Sequence, residues 1–349
     1  MTRMLVRAAT AEDAFVAAAG GADVLEVWMP GPAPHRAAIR AVRAAFPGIL
    51  RLRVEGPLRH PGAIEAAVSL GADEIALPFQ FVADARAALS ALPASGGGVK
   101  LAAIVPAEGD LLGPLEEILG AADAAILDVS DGGRLLDAVT IAQLDAFGRA
   151  CRLGELAFGL AGGLEAPDVA RLLVLQPDLL GFDAAARRDH RAELGLDVTA
   201  VEALRALIPR EDHGPSRDDF AVHGETDHIF VHDFIVLLAI GAYQAERGAR
   251  QRVRFSVDAD VRRPAEPPTD MRGVFSYDII IETIRVLAER PHVTFVETLA
   301  EELAANLLAY PQLTAVAIKV EKLDVIDGSV GILVRRDRAT LVKAAGPTP

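Results

Sequence analysis

The run VLEVWM, residues 24–29, is one of eight short apolar segments that recur between residues 4 and 208. Each is followed by a turn and a stretch in which apolar residues recur at helical spacing. Apolar strands that alternate with helices are typical of a parallel sheet buried on both faces, and eight such units predict a (β/α)8 barrel over residues 1–208. The eight runs are 4–8, 24–29, 49–55, 74–79, 100–106, 124–130, 156–162 and 179–185.

An open, doubly wound sheet is the alternative architecture for this region. A dinucleotide-binding sheet of that kind carries a glycine-rich turn after its first strand, whereas this chain has MLVRAATAED at residues 4–13. We therefore favour the closed barrel.

The chain changes character after the barrel pattern. Residues 209–226, PREDHGPSRDDFAVHGET, are polar and almost without periodicity, which predicts a linker. Residues 227–340 then follow a β-β-α-α-β-β order, which predicts an antiparallel sheet with two helices on one face, and residues 341–349 form a C-terminal tail. The open edges of such a sheet need pairing or cover, so we expect assembly into rings.

Composition limits the classes of partner. The net charge of −14 argues against an extended nucleic-acid surface, and the hydrophobic fraction of 51% is ample for two cores. The N-terminus lacks a secretory pattern, and the longest apolar run, FIVLLAIGAY at 234–243, is about half the ~20 residues that span a bilayer. We expect a cytoplasmic protein that acts on small molecules, with no nucleic-acid or membrane partner.

Four segments of the second domain carry polar side chains suited to a catalytic site: GAYQAERGARQ (241–251), FSYD (275–278), FVETLAEELA (295–304) and IKVEKLD (318–324). In this order and spacing they resemble dihydroneopterin aldolase, a tunnelling-fold family, over residues 227–337. The resemblance implies three catalytic residues, which are Lys322, Tyr277 and Glu246, and three substrate-binding residues, which are Glu297, Val296 and Gln251.

The chemistry of these residue types is consistent with the roles that the resemblance implies. A pterin ring presents two neighbouring N–H donors, and one carboxylate such as Glu297 can accept both. The resemblance implies that Lys322 and Tyr277 move protons and that Glu246 contacts the reacting side chain. The alternatives are structural: Glu297 favours a helix N-terminus, Tyr277 begins a helix, and Lys322 is a charge at a strand end.

The implied reaction is a carbon–carbon lyase reaction. It is the retro-aldol cleavage of 7,8-dihydroneopterin, or a derivative, to 6-hydroxymethyl-7,8-dihydropterin and glycolaldehyde, in folate or tetrahydromethanopterin biosynthesis. In this family the dihydropterin ring accepts the electrons, so neither a metal nor another cofactor is expected. Family members form rings with sites between subunits, which implies a homo-oligomer, a tetramer or an octamer. One departure concerns Lys322: the family follows its lysine with Pro and Gly, whereas this chain has KLDVIDG at 322–328.

The barrel segments resemble a second family. They are AAAGGADVLEVWMPG (17–31), GADEIALPF (71–79), AILDVSDGGRLLD (125–137), FGLAGGLEAPDV (158–169) and LLGFDAA (179–185), and they are similar to (5-formylfuran-3-yl)methyl phosphate synthase. That family builds its furan from two triose phosphates and uses lysines at strand ends, one of them as a Schiff-base nucleophile. Here Trp28 and Ala76 stand at two of those positions, and a third lysine is absent after Asp128.

The lysine count agrees with a loss of this chemistry. Lys100 is the only lysine of the barrel region, and it begins the fifth strand, on the face that in barrels serves stability. We therefore expect a barrel without lyase activity, with Trp28 in its core or facing a partner; the alternative is that Trp28 stacks on a ligand. A residual phosphate site is predicted from Gly162, Gly163, Arg187 and Arg188, with Asp128 as a residual acid. The alternative is that these residues form a tight turn, a solvated loop and a helix cap.

Three functions follow from the two resemblances. The first is an aldolase with an inactive barrel. The second is a bifunctional protein that also makes a furan phosphate for a methanofuran analogue. The fusion of the two domains in one chain indicates the C1-carrier pathways of methylotrophs. The third is a non-catalytic pterin-binding scaffold.

Overall fold

The computed structural model describes residues 1–29, 36–54, 62–92, 98–129, 133–191, 193–209, 226–241, 246, 249–263 and 274–338. The chain forms two compact units, Met1–Glu211 and Asp212–Pro349. Of the predicted linker only its two end residues are described, and the predicted tail, 341–349, lies outside the described residues.

The first unit contains a closed barrel of eight parallel strands. The strands follow one another in chain order, and β1 closes the ring by pairing with β8. This confirms the predicted barrel and excludes the open sheet. The strands are β1 (Arg3–Ala8), β2 (Val24–Met29), β3 (Ile49–Val54), β4 (Glu74–Pro78), β5 (Lys100–Pro106), β6 (Ala124–Asp128), β7 (Ala157–Leu160) and β8 (Leu179–Phe182).

Nine helices are described around the strands of this unit. Two of these helices begin at threonine caps: Thr10 and Thr140 each accept a hydrogen bond from the backbone N–H three residues later, and both form capping boxes. They are α1 (Ala11–Ala19), α2 (Arg36–Ala45), α3 (Gly62–Ser69), α4 (Val82–Ser90), α5 (Gly113–Ile118), α6 (Leu135–Ala138), α7 (Ile141–Leu153), α8 (Ala166–Leu173) and α9 (Val198–Leu207).

The centre of the barrel is apolar. Leu5, Val24, Ala102 and Ile126, from four different strands, belong to one buried cluster. Because side chains alternate along a strand, Arg7 lies on the same face of β1 as Leu5. Charged side chains therefore flank the apolar layer inside the barrel.

The second unit is a four-stranded antiparallel sheet with two helices, as predicted. Its strand order is β12-β11-β10-β9. Along β10, Val253, Phe255, Val257 and Ala259 are buried while the residues between them are partly exposed, so one face of the sheet packs on the helices. The elements are β9 (Thr226–Ala239), β10 (Arg250–Arg262), α10 (Tyr277–Ala288), α11 (Val296–Leu308), β11 (Leu313–Lys322) and β12 (Val330–Asp337).

No helix within the described ranges is long and apolar enough to cross a membrane.

The register of three strands fixes the end of β11. Lys322 pairs with Val253 of β10 on one side and with Val330 of β12 on the other. Gly331 lies opposite Glu321, and a Cβ atom at Gly331 would stand 1.9 Å from the carbonyl oxygen of Val320. The two strands therefore approach closely because residue 331 has no side chain.

A substitution tests this approach. Gly331→Ala should push β12 away from β11 and destabilise the second unit by about 1–3 kcal/mol, the usual cost of overpacking. Hydrogen exchange followed by mass spectrometry should show faster exchange in peptides from β11 and β12. Gly62→Ala is the control, because a Cβ there meets nothing within 4 Å. Unchanged exchange in Gly331→Ala would contradict the register.

Candidate functional site

Three of the six predicted pterin-site residues lie together in the structure. Lys322 Nζ donates to Glu246 Oε1 at 2.6 Å, and the two side chains are only 14% and 21% exposed. Gln251, near the start of β10, donates its Nε2 to the carbonyl of Ile240 and lies 3.5 Å from Glu246 Oε1. The cluster places an ammonium group, a carboxylate and an amide within reach of one small substrate.

The end of β9 supports Glu246. Gly241 has φ +148°, and a Cβ atom there would stand 2.1 Å from Glu246 Oε2, so only glycine fits beside this carboxylate. His292 Nε2 lies 2.9 Å from the carbonyl oxygen of Gly241 and donates to it. The backbone amide of Gly241 donates to Val293 O at 2.9 Å. Residues 292 and 293 thus hold Gly241, the residue beside the Glu246 carboxylate.

The other three candidates lie on two helix starts. Tyr277 is the first residue of α10 and is 58% exposed. Val296 and Glu297 are the first two residues of α11, and Glu297 is exposed. No hydrogen bond or ion pair among the described residues joins Tyr277 or Glu297 to the cluster around Lys322. Both side chains are free to meet a ligand or another chain.

Two arginine–carboxylate pairs flank Lys322, and neither is among the residues predicted from the sequence. Arg254 Nε donates to Glu321 Oε2 at 3.0 Å, and this hydrogen bond, with those from Ser329 and Lys319, lowers the pKa of Glu321 to about 2. Arg252 contacts Asp324 through its backbone amide and its guanidinium. The alternation of apolar and charged residues along β10, which puts Arg252 and Arg254 on one face, is the sequence signal that could have predicted these two pairs.

The mouth of the barrel contains a shared carboxylate instead of a lysine. Asp128, the last residue of β6, accepts at Oδ2 from Arg7 Nη2 at 2.6 Å and from Arg53 Nη1 at 2.5 Å. Glu26 Oε1 accepts from Arg7 Nε at 3.0 Å, and both carboxylates are buried. Burial alone would lower the pKa of Arg7, but the charges of Glu26 and Asp128 raise it above its usual value. Arginines at this mouth stay protonated and form no imine.

Of the two predicted places for Trp28, the barrel core is wrong, and a position that faces a partner stays a prediction. Its side chain is 52% exposed, although its strand neighbours Val27 and Met29 are buried. Trp28 lies near the C-terminal end of β2, and the guanidinium of Arg53 stands 5.7 Å from its ring. The ring therefore flanks the arginine network instead of filling the core.

All four residues of the predicted phosphate site are described by the structure. Gly162 and Gly163 both have positive φ, and the carbonyl of Gly162 accepts from Leu135 N at 2.9 Å. Arg187 is bound to Asp183 at 2.8 Å and to the carbonyls of Leu194 and Arg7, whereas Arg188 is largely exposed. Their role as a phosphate site, and that of Asp128 as an acid, remain predictions.

A substitution at Gly241 tests the support of Glu246. Gly241→Ala should displace the carboxylate and break its ion pair with Lys322, at a cost of roughly 1–3 kcal/mol from strain. The acetylation rate of Lys322, measured by mass spectrometry relative to Lys319 on the same strand, should rise. Glu246→Gln provides the positive control for a freed lysine. A Lys322 rate unchanged from the wild type in Gly241→Ala would contradict this geometry.

The arginine network of the barrel makes a separate prediction. Asp128→Ala leaves Arg7 and Arg53 without their shared acceptor, and we expect a loss of about 3 kcal/mol, the low end for a broken buried pair, because Glu26 remains. Urea unfolding followed by the fluorescence of Trp28, the only tryptophan, reports on the barrel. Asp137→Ala, an exposed carboxylate on α6, should change stability by less than ~0.5 kcal/mol. Equal stabilities of the two variants would show that the network is energetically unimportant.

Two family models match the chain, one in each unit. The dihydroneopterin aldolase (FolB) model matches residues 229–335. The 4-HFC-P synthase model matches residues 118–205. The residues around Lys322 and Glu246 fall in the first match, and Asp128 falls in the second.

Individual relatives agree with the two models. A protein of Methylorubrum extorquens, provisionally named (5-formylfuran-3-yl)methyl phosphate synthase, is 30% identical over 230 residues, which are 60% of this chain and 94% of the relative. Dihydroneopterin aldolase of Escherichia coli is 31% identical over 113 residues, 32% of this chain and 93% of the relative.

A solved structure also matches. The E. coli dihydroneopterin aldolase in complex with neopterin is 28% identical to this chain, with a TM-score of 0.28. The match covers 32% of this chain and 98% of the aldolase chain. By sequence, then, the chain belongs to two families: its N-terminal unit to that of (5-formylfuran-3-yl)methyl phosphate synthase and its C-terminal unit to that of dihydroneopterin aldolase.

Proposed function

We propose that the C-terminal unit is a carbon–carbon lyase of the dihydroneopterin aldolase type. Its reaction converts 7,8-dihydroneopterin, or a close derivative, to 6-hydroxymethyl-7,8-dihydropterin and glycolaldehyde, in the biosynthesis of folate or tetrahydromethanopterin. The observation that carries the proposal is the 2.6 Å pair between Lys322 and Glu246, which joins residues 76 positions apart at places where the family has functional residues.

The reaction needs two proton transfers. A base takes the proton of the second hydroxyl of the side chain, the bond between the first and second side-chain carbons breaks, and the second carbon leaves as the aldehyde. The electron pair of that bond moves into the C6–N5 imine of the ring and forms an enamine. Protonation of the first side-chain carbon then gives the hydroxymethyl product.

The clustered residues suit these transfers. Lys322 and Glu246 share a hydrogen bond, so either a substrate hydroxyl or a water placed between them exchanges its proton over a short distance. Gln251, bound to the carbonyl of Ile240, keeps an amide beside the same carboxylate. Tyr277 is assigned the second proton relay, at the carbon that is reprotonated.

Recognition of the pterin ring is assigned to the start of α11. The Glu297 carboxylate accepts from the ring N–H and the exocyclic amino group, and Val296 lies against the ring. The exposure of Tyr277 and Glu297 supports a site completed between subunits of a homo-oligomeric ring. Each complete site would then combine the Lys322 cluster with helix starts from the assembly.

We propose that the barrel does not perform the imine chemistry of its family. Trp28 and Ala76 replace two lysines, and Lys100 begins β5, away from the C-terminal ends of the strands. Arg7 and Arg53 instead bind Asp128. A guanidinium stabilises charge but does not act as an amine nucleophile.

An activity assay tests the aldolase. The whole protein should release glycolaldehyde and 6-hydroxymethyl-7,8-dihydropterin from 7,8-dihydroneopterin. Lys322→Ala removes a proton-transfer group and should lower kcat by roughly 100-fold or more. Glu297→Ala removes charged hydrogen bonds to the ring and should raise KM roughly 10- to 100-fold.

Lys100→Ala is the matched lysine control and should retain wild-type activity, since Lys100 lies in the barrel. No product from the wild type, with pterin binding retained, would favour the non-catalytic scaffold instead. Full activity in both Lys322→Ala and Glu297→Ala would contradict the assignment of the site but not the proposed reaction.

A further inference from the structure

The segment that follows Lys322 has little apolar packing to hold it. Residues 324–328 are exposed, including Val325 at 47% and Ile326 at 54%, and Gly328 has φ +131°. This is also where the chain departs from the Pro and Gly of its family. Because burial does not fix the segment, its polar contacts decide where it lies.

Asp324 ties the start of the segment to β10. Its Oδ2 accepts from the backbone amide of Arg252 at 2.7 Å, and its Oδ1 accepts from Arg252 Nε and Nη2 at 2.9 and 2.6 Å. The backbone amide of Leu323 donates to the carbonyl of Arg252 at 3.0 Å. The strand ladder thus continues one step beyond Lys322, and a carboxylate closes it.

Glu321 ties the other end. It accepts from Arg254 through both oxygens at 3.0 and 3.1 Å, and from Ser329 Oγ at 2.5 Å. Lys322 therefore lies between two fixed neighbours, with one arginine–carboxylate pair on each side. The arginine of the exposed pair, Arg252, directly follows Gln251, the residue that contacts Glu246.

We infer that the Arg252–Asp324 pair is a positioning device that holds the Lys322 ammonium against Glu246. The pair touches no reacting atom, and acts by joining the strand end that carries Lys322 to the strand start that carries Gln251. Hydrogen bonding to Arg252 lowers the pKa of Asp324, so the carboxylate is ionised and the pair is formed at neutral pH. For its kinetic readout the inference rests on the proposed aldolase function.

If the pair only positions Lys322, its loss should lower the rate of catalysis without lowering the stability of the fold. Exposed ion pairs contribute little to folding, so Asp324→Ala should leave the apparent melting temperature within roughly 4 °C of the wild type. A displaced catalytic group is costly, so the same variant should lower kcat roughly tenfold. Because the ring contacts are untouched, KM should stay within about twofold.

Three further variants sharpen the test. Asp327→Ala is the matched control, since Asp327 lies in the same exposed segment and makes no hydrogen bond or ion pair among the described residues; it should keep wild-type kcat. Arg252→Ala keeps the backbone amide that binds Asp324, so its loss should be smaller, roughly threefold. The double variant should be no slower than Asp324→Ala alone, because the two residues act as one unit.

A second readout does not depend on aldolase activity. Acetylation of Lys322 relative to Lys319 should rise roughly threefold or more in Asp324→Ala and stay unchanged in Asp327→Ala. If the wild type cleaves no dihydroneopterin, the proposed function fails and the labelling still tests the device. Unchanged labelling in Asp324→Ala, or equal kcat in Asp324→Ala and Asp327→Ala, overturns the inference.

Discussion

The ion pair between Lys322 and Glu246 depends on the antiparallel register of β10 and β11. Val253 opposite Lys322 sets the end of the ladder, Gly331 lets β12 approach, and Gly241 leaves room for the Glu246 carboxylate. A shift of one residue would turn Lys322 to the other face of the sheet. Strand pairing and the proposed proton transfer therefore share the same geometric requirement.

The two units treat buried charge in different ways. In the barrel, Arg7 and Arg53 converge on one oxygen of Asp128, and Glu26 contacts both arginines, so two positive charges face two negative charges. In the second unit, Lys322 pairs among the described residues with one carboxylate, Glu246, at the end of a strand. In the proposed reaction a substrate hydroxyl enters this hydrogen bond, whereas the barrel network contributes to stability.

Sequence patterns predicted the order of elements well because alternation and helical spacing are local. The barrel, the ββααββ order and the position of Lys322 at a strand end could all be predicted. The exposure of Trp28 could not be predicted, because residues near the ends of barrel strands open to solvent although their strand is apolar. The contacts of Arg53 with Asp128, 75 positions away, and of Arg252 with Asp324, 72 positions away, depend on strand neighbours that local periodicity does not specify.

We propose that the chemistry of this chain resides at Lys322 and not at the mouth of the barrel. The most direct measurement is one NMR time course of the whole protein with 7,8-dihydroneopterin and glyceraldehyde 3-phosphate in the same tube. We predict that dihydroneopterin is consumed and glycolaldehyde appears, while the triose phosphate decays only at its rate without protein. Consumption of the triose phosphate with dihydroneopterin left intact would contradict the account.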